Sequence, residues 1–255
     1  MSLWRCLRAD LLKLRRTKIL WIHVAIPVVC AVLFLGYFHG RKTDSFQMYS
    51  FYMESIGVAL PLLLGMITGL MVYQERRAGH FQVLLSGSAS RLSGYTSKLL
   101  LLILFEAFSI LLAVVLWVAG MKWVLHLTDI PLWSYFYGWL WLTGSSLLIW
   151  IVQLFSAFMF GMGASILLGG AGLLLSALMA TGLGEGIWMY VPWAWGVRFS
   201  GLTGLLQEGT LPMELVDYVQ DELKQGLVFA TLLTLAGLVL SMIWFRRWEG
   251  KQAHE

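Results

Sequence analysis

The sequence predicts an all-α integral membrane protein with six transmembrane helices and with the N-terminus and C-terminus both cytoplasmic. Three observations predict it. Hydrophobic residues make up 59% of the 255 and charged residues only 13%, about half the charged fraction of a soluble domain. Six apolar segments are each long enough to cross a bilayer. The basic residues gather on one side of those segments, as the positive-inside rule requires. The whole chain reads as one transmembrane domain, residues 1–255.

The segments run over residues 19–38, 55–73, 99–120, 137–160, 162–183 and 226–245. The fourth and fifth are nearly fused, and Gly161 and Gly163 supply the only break, so that turn must be very tight. With six spans, the inside holds Arg5, Arg8, Lys13, Arg15, Arg16, Lys18, Arg76, Arg77, Arg91, Lys98, Arg246, Arg247 and Lys251, which is 13 of the 18 basic residues. Fusing the two segments into one span would put Arg246, Arg247 and Lys251 outside, so a five-span topology is rejected. Trp21, Tyr37, Tyr73, Trp123, Trp133, Tyr135, Trp244 and Trp248 lie near span ends, where interfacial anchors belong. The N-terminus does not read as a cleavable signal peptide: its apolar run is too long and no small-residue cleavage site follows.

Three pieces lie outside the spans. In residues 1–18, Leu3, Leu7, Leu11 and Leu14 fall at helical spacing among basic residues. That pattern predicts an amphipathic helix lying on the inner leaflet and its lipids. The cytoplasmic loop 74–98 carries an apolar patch, Phe81, Val83, Leu84 and Leu85, followed by Ser/Gly-rich turns. A solvated connector has no need of four clustered apolar residues, so the loop is expected to dock a soluble partner. The outer segment 184–225 opens with an aromatic stretch interrupted by Pro192 and glycines. A re-entrant-like or interfacial element is expected there, because irregular backbone at membrane depth must be buried in protein or line a wet cavity. After it, Thr210 is expected to cap a short helix with Leu215, Val216, Val219 and Leu223 on its apolar side. Residues 226–245 then form the last span and 246–255 a cytoplasmic tail.

Motifs for catalysis are absent. There is no H-E-x-x-H, no G-x-S-x-G and no phosphate-cradling G-x-x-x-x-G-K-[ST]. The five histidines are scattered among separate segments, and Cys6 and Cys30 do not form a C-x-x-C pair, so neither a metal site nor a disulfide is expected. No nucleic-acid partner is expected. Glu106 is the one acid well inside a predicted span, about 12 Å along its helix. An intramembrane carboxylate is a functional candidate by default; a single structural carboxylate hydrogen-bonded between helices is the favoured role, and its candidate partners are His23 and Gln153. Gly65 and Gly69 form G-x-x-x-G in the second span, and Gly161, Ser165 and Gly169 form a small-residue ladder at the fifth. Such faces let helix backbones approach closely, either within one subunit or between two.

The order of these parts resembles the ABC-2 type permeases, membrane subunits of ABC exporters whose ATPase is a separate chain. The resemblance covers nearly the whole chain. Its closest local matches are the stretch from Arg8 to Thr17, then Gln74-Glu75-Arg76-Arg77-Ala78-Gly79 with Leu84-Leu85, Ser90-Arg91 and Lys98-Leu99. In length the chain is similar to the lantibiotic-immunity permeases, and Pro192-Trp193-Ala194-Trp195 is similar to the Pro-Trp element of that group. The resemblance implies a bacterial cytoplasmic-membrane subunit that binds no cofactor itself, with ATP and Mg on a dimeric partner ATPase. It also implies a second permease, homologous or identical, and a peptide substrate expelled from the membrane of the producing cell. It places a coupling helix at residues 75–97, with Glu75, Arg76, Arg77, Phe81, Val83, Leu84, Leu85 and Arg91 toward the ATPase, and makes the N-terminal helix an interface helix. Trp188, Trp193 and Trp195 would offer a substrate face in an outer segment with six acidic and two basic residues. A permease for a drug, lipid or ion, and a non-transporting scaffold or sensor, stay open as alternatives.

Overall fold

The structure is a computed structural model that describes residues 3–15, 17, 19–79, 81–82, 91–207 and 211–250. Among these residues it is all helical. The helices are α1 (Leu3–Arg15), α2 (Ile19–Phe38), α3 (Ser45–Arg77), α4 (Arg91–Trp123), α5 (Leu132–Phe160), α6 (Met162–Met179), α7 (Trp195–Gln207) and α8 (Met213–Arg247). Three short 3-10 turns link α6 to α7. Six helices, α2 to α6 and α8, are long and apolar enough to cross a membrane, and each contains or closely matches one of the six apolar segments.

The helices outrun the apolar segments that mark them. Asp44 caps α3 by accepting from Phe46 N at 3.1 Å, so that helix starts ten residues before the apolar run. The added turns carry Tyr49, Tyr52 and Met53, all fully buried. Tyr52 stacks on Trp117 of α4 with ring centres 4.7 Å apart, and its hydroxyl donates to Ala113 O at 2.9 Å. These polar tips were satisfied by packing, which a hydropathy window does not register.

Between α5 and α6 the turn is a single residue. Gly161 takes φ 88, a conformation that favours glycine, and its N–H closes α5 on Ala157 O. α6 then lies along α3. A Cβ on Gly65 would sit 2.5 Å from Ser165 O, and one on Gly169 would sit 2.7 Å from Pro61 O. Ser165 Oγ donates to Gly65 O at 2.9 Å. The two small-residue faces therefore meet each other inside one subunit.

The segment expected as a Thr210-capped short helix differs. Thr210 lies outside the described residues, and Pro212 occupies the position before the first turn of α8. Leu215 to Leu223 run into the last span as one continuous 35-residue helix. Gly226 at the junction is helical, and the Trp188 ring occupies the place of its missing side chain.

Candidate functional site

The helix ends that carry most of the basic residues converge at one end of the bundle. α1 packs mainly on α4. Leu14 is buried and Leu7 half-buried against the core, while Leu3, Trp4, Leu11 and Leu12 are exposed. The leucine stripe is thus split: one edge packs on the protein and the other is free for a lipid surface.

Lys98, at the start of the apolar part of α4, is 3% exposed. Its ammonium lies 3.2 Å from Asp10 Oδ1 of α1 and 2.8 Å from Glu75 Oε1 of α3. Ser97 Oγ donates to Asp10 Oδ2 at 2.7 Å, and Lys13 Nζ reaches Glu75 at 3.1 Å. One desolvated cation therefore ties three helices together. A buried charge of this kind survives only when paired and hydrogen-bonded, so each member fixes the others. Asp10, Ser97 and Lys98 were not singled out as site residues. Their signals were a lysine at the edge of an apolar run, which reads equally as a topogenic flank, and the place of Asp10 and Lys98 in the stretches that carry the resemblance.

The described flanks of loop 74–98 are helical. Glu75, Arg76 and Arg77 end α3, and residues 91–97 begin α4. Val83, Leu84 and Leu85 lie outside the described residues. Phe81 takes φ 63 and is 2% exposed. Its ring packs on Phe158 of α5 and on Trp248, with centres 5.8 and 5.1 Å apart. Phe81 is therefore a plug in the core, and the expectation that its ring faces a partner is corrected. Glu75 likewise turns inward to its lysines rather than outward. Arg91 Nη1 donates to Trp248 O at 3.3 Å, and the Arg77 guanidinium lies over Tyr73 at 5.8 Å. Both ends of the loop are anchored to the bundle.

In the middle of the bundle, Glu106 Oε2 accepts from Trp150 Nε1 at 2.5 Å and Ser146 Oγ at 2.7 Å, both on α5. Neither residue was among the expected partners. Gln153 is turned to α6, where its amide nitrogen donates to Ser165 Oγ at 2.8 Å. His23 lines the same cavity as Glu106.

At the other end, Trp188 and Trp195 are fully buried and so present no substrate face. Trp188 Nε1 donates to Glu222 Oε2 of α8 at 3.0 Å, and Trp195 Nε1 to Met189 O at 2.8 Å. Trp193 is half-buried against Gly172 and Pro61. Arg198 covers the last turn of α6, with its Nε 2.5 Å from Met179 O and its Nη2 2.6 Å from Thr181 O. It satisfies carbonyls that a helix end leaves open. Residues 184–194 run as irregular backbone and 3-10 turns, with Trp188 and Met189 buried and Tyr190 exposed.

Among the described residues no group of three His, Cys, Asp or Glu is placed to hold a metal. No curated protein matches the chain. Residues 6–172, more than half of the chain, match the family model described as ABC-2 family transporter protein. That stretch holds the ion-paired cluster, four whole spans, the first part of α6 and the α3–α6 contact, and the chain belongs to the ABC-2 family of transporter proteins.

Proposed function

We propose that this membrane permease subunit serves an ATP-driven exporter, with the α1–α3–α4 ion-paired end in the cytoplasm against the ATPase. The single observation that carries the reading is the buried Lys98 cluster. It joins the amphipathic helix to both flanks of the loop between α3 and α4. A push on α1 or on that loop is delivered to α3 and α4 together, and through the close α3–α6 contact to a third span. Rigid-body tilting of packed helices converts such a push into altered access across the membrane. Membership of the family supports an ABC ATPase as the source of the push, with ATP and Mg on that chain. A second permease, identical or homologous, completes the pair.

The expelled solute is proposed to be a lantibiotic peptide, on the resemblance of length and of the Pro192–Trp195 element. With Trp188 and Trp195 buried, the peptide would meet Tyr190, Ile187 and Leu183, whose side chains are exposed on the same segment.

Co-purification with the cognate ATPase in mild detergent tests the coupling. A Leu84→Asp/Leu85→Asp variant is compared with wild type at equal membrane levels. Retention by wild type and loss by the variant is the expected result. Loss of the ATPase from both sinks the docking loop and favours a scaffold or sensor. Exchange of residues 184–225 for those of a permease with another substrate then tests the peptide: resistance to it should fall.

A further inference from the structure

A cavity of about 200 Å³ lies between α2, α3, α4 and α5, and apolar side chains such as Ile26, Leu60, Leu64 and Ile110 dominate its lining. Two polar atoms break that lining. Glu106 Oε1 and His23 Nε2 are buried and have no hydrogen-bond partner, and each residue is 3% exposed. Both line the cavity from facing helices: Ser109, one turn along α4 from Glu106, donates through its Oγ to His23 O of α2 at 2.9 Å. Orphaned buried polar atoms are rare because each costs its full desolvation, so two in one cavity call for a cause.

The rest of each side chain is already committed. Glu106 Oε2 holds Trp150 and Ser146. His23 Nδ1 is 2.8 Å from Ile19 O. A carbonyl only accepts, so the proton sits on Nδ1, and Nε2 of the neutral ring is a bare acceptor. The other hydroxyls on the wall are spent: Ser109 Oγ on His23 O, and Ser55 Oγ on Phe51 O at 2.7 Å. With Glu106 ionised, as beside a bound cation, the cavity presents two acceptors in an apolar sleeve. Its complement is a small cationic donor with an apolar body. A divalent metal is ill served, because one carboxylate and one imidazole leave most of its coordination sphere to hydrocarbon.

We propose that this cavity binds a primary alkylammonium group. The ammonium donates to Glu106 Oε1 and His23 Nε2, and the alkyl part lies along Ile26, Leu60 and Ile110. The source of the amine is either a soluble compound or the headgroup of an aminophospholipid.

The test uses the full chain alone in phosphatidylcholine nanodiscs, titrated calorimetrically with n-hexylammonium and, separately, with n-hexanol. Without an ATPase present, the outcome is independent of the coupling test. Saturable 1:1 binding of hexylammonium and none of hexanol is expected. Glu106→Gln keeps the contacts to α5 and should weaken binding by about tenfold or more, the loss of one charge-assisted hydrogen bond. Leu60→Trp fills the cavity with both polar atoms left in place and should abolish binding. It keeps the proposal testable if the glutamine variant does not fold. Adding phosphatidylethanolamine to the nanodisc weakens the hexylammonium isotherm if the lipid is the source and leaves it unchanged if a soluble amine is. Equal binding of hexanol, no saturable binding by wild type, or unchanged binding by either variant overturns the proposal.

Discussion

At one end of the bundle a buried ammonium, Lys98, draws two carboxylates together; at the other, two helices and an irregular segment are joined by tryptophan rings. Lys98, Asp10 and Glu75 bind α4, α1 and α3 through charge. Trp188 and Trp195 join the irregular segment to α7 and α8 by filling the space between them, each with a single indole N–H bond, and Trp188 stands edge-on to Phe199 with ring centres 5.2 Å apart. The two devices differ in how they fail. A filled aromatic core loses transfer energy and gains a cavity when a ring is removed. A charge cluster fails by leaving a partner uncompensated, and can be mended by neutralising that partner. The ring end is thus suited to being a fixed cap. The charged end is suited to passing a displacement from α1 to α3 and α4 without coming apart.

The largest effect is expected at the ring end. Trp195→Ala, at a site with no exposure, should cost about 4 kcal/mol, in the range for buried tryptophan. Thermal unfolding in detergent reads it directly. No second substitution at a neighbouring polar residue should restore it, and such a rescue would erase the contrast between the two ends.

Lys98→Met comes next, at about 3 kcal/mol, because Asp10 and Glu75 are then held together without the cation between them. Here the contrast is sharpest. Adding Asp10→Asn and Glu75→Gln should return most of the lost stability, since a neutral cluster has nothing to compensate. ATP-driven transport by the triple variant should remain impaired if the charges, and not merely the packing, carry the displacement. A triple variant no more stable than the single one would show that Lys98 acts through its alkyl stem alone.

How far these two ends were legible in the sequence follows from the same chemistry. The six spans were legible because hydropathy over about 20 residues is a local property. The tightness at Gly161 was legible because nothing else interrupts the apolar run. Gly65, Gly69, Ser165 and Gly169 were legible as contact faces, yet not as each other's partners, since a small-residue face accepts any close backbone. The aromatic stretch 188–195 was legible as apolar, but an interfacial ring and a core ring have the same composition. The Lys98 cluster was illegible for a topological reason. Its partner Asp10 is 88 positions away, on a helix whose docking against α4 no local pattern records. Glu106 met Trp150 and Ser146 rather than His23 or Gln153 for a related reason: helix rotation, which spacing along one helix does not fix, decides which face of α5 it sees.

Between the two ends, Gly65→Ala probes the α3–α6 contact that would relay motion from the charged end. Its new Cβ would sit 2.5 Å from the backbone oxygen of Ser165, which cannot turn aside as a side chain can. Overpacking of this kind costs about 2 kcal/mol, and the two helices must part. ATPase co-purification should survive, since Glu75 of the Lys98 cluster lies ten residues, about 15 Å, further along α3, while transport should fall. Loss of both together would place the relay and the docking surface in one unit.

The smallest effect separates the exposed edge of the clamp from its buried centre. Lys13 is half-exposed and reaches Glu75 at 3.1 Å. A pair with one member in water contributes at most about 0.5 kcal/mol and is screened by salt. Lys13→Ala should therefore shift unfolding only slightly, and raising the ionic strength should erase that shift. The Lys98→Met defect should persist at the same ionic strength, because ions do not reach a side chain that is 3% exposed. A Lys98 defect that salt also erased would mean that the cluster opens to water, and the buried relay between α1, α3 and α4 would have to be abandoned.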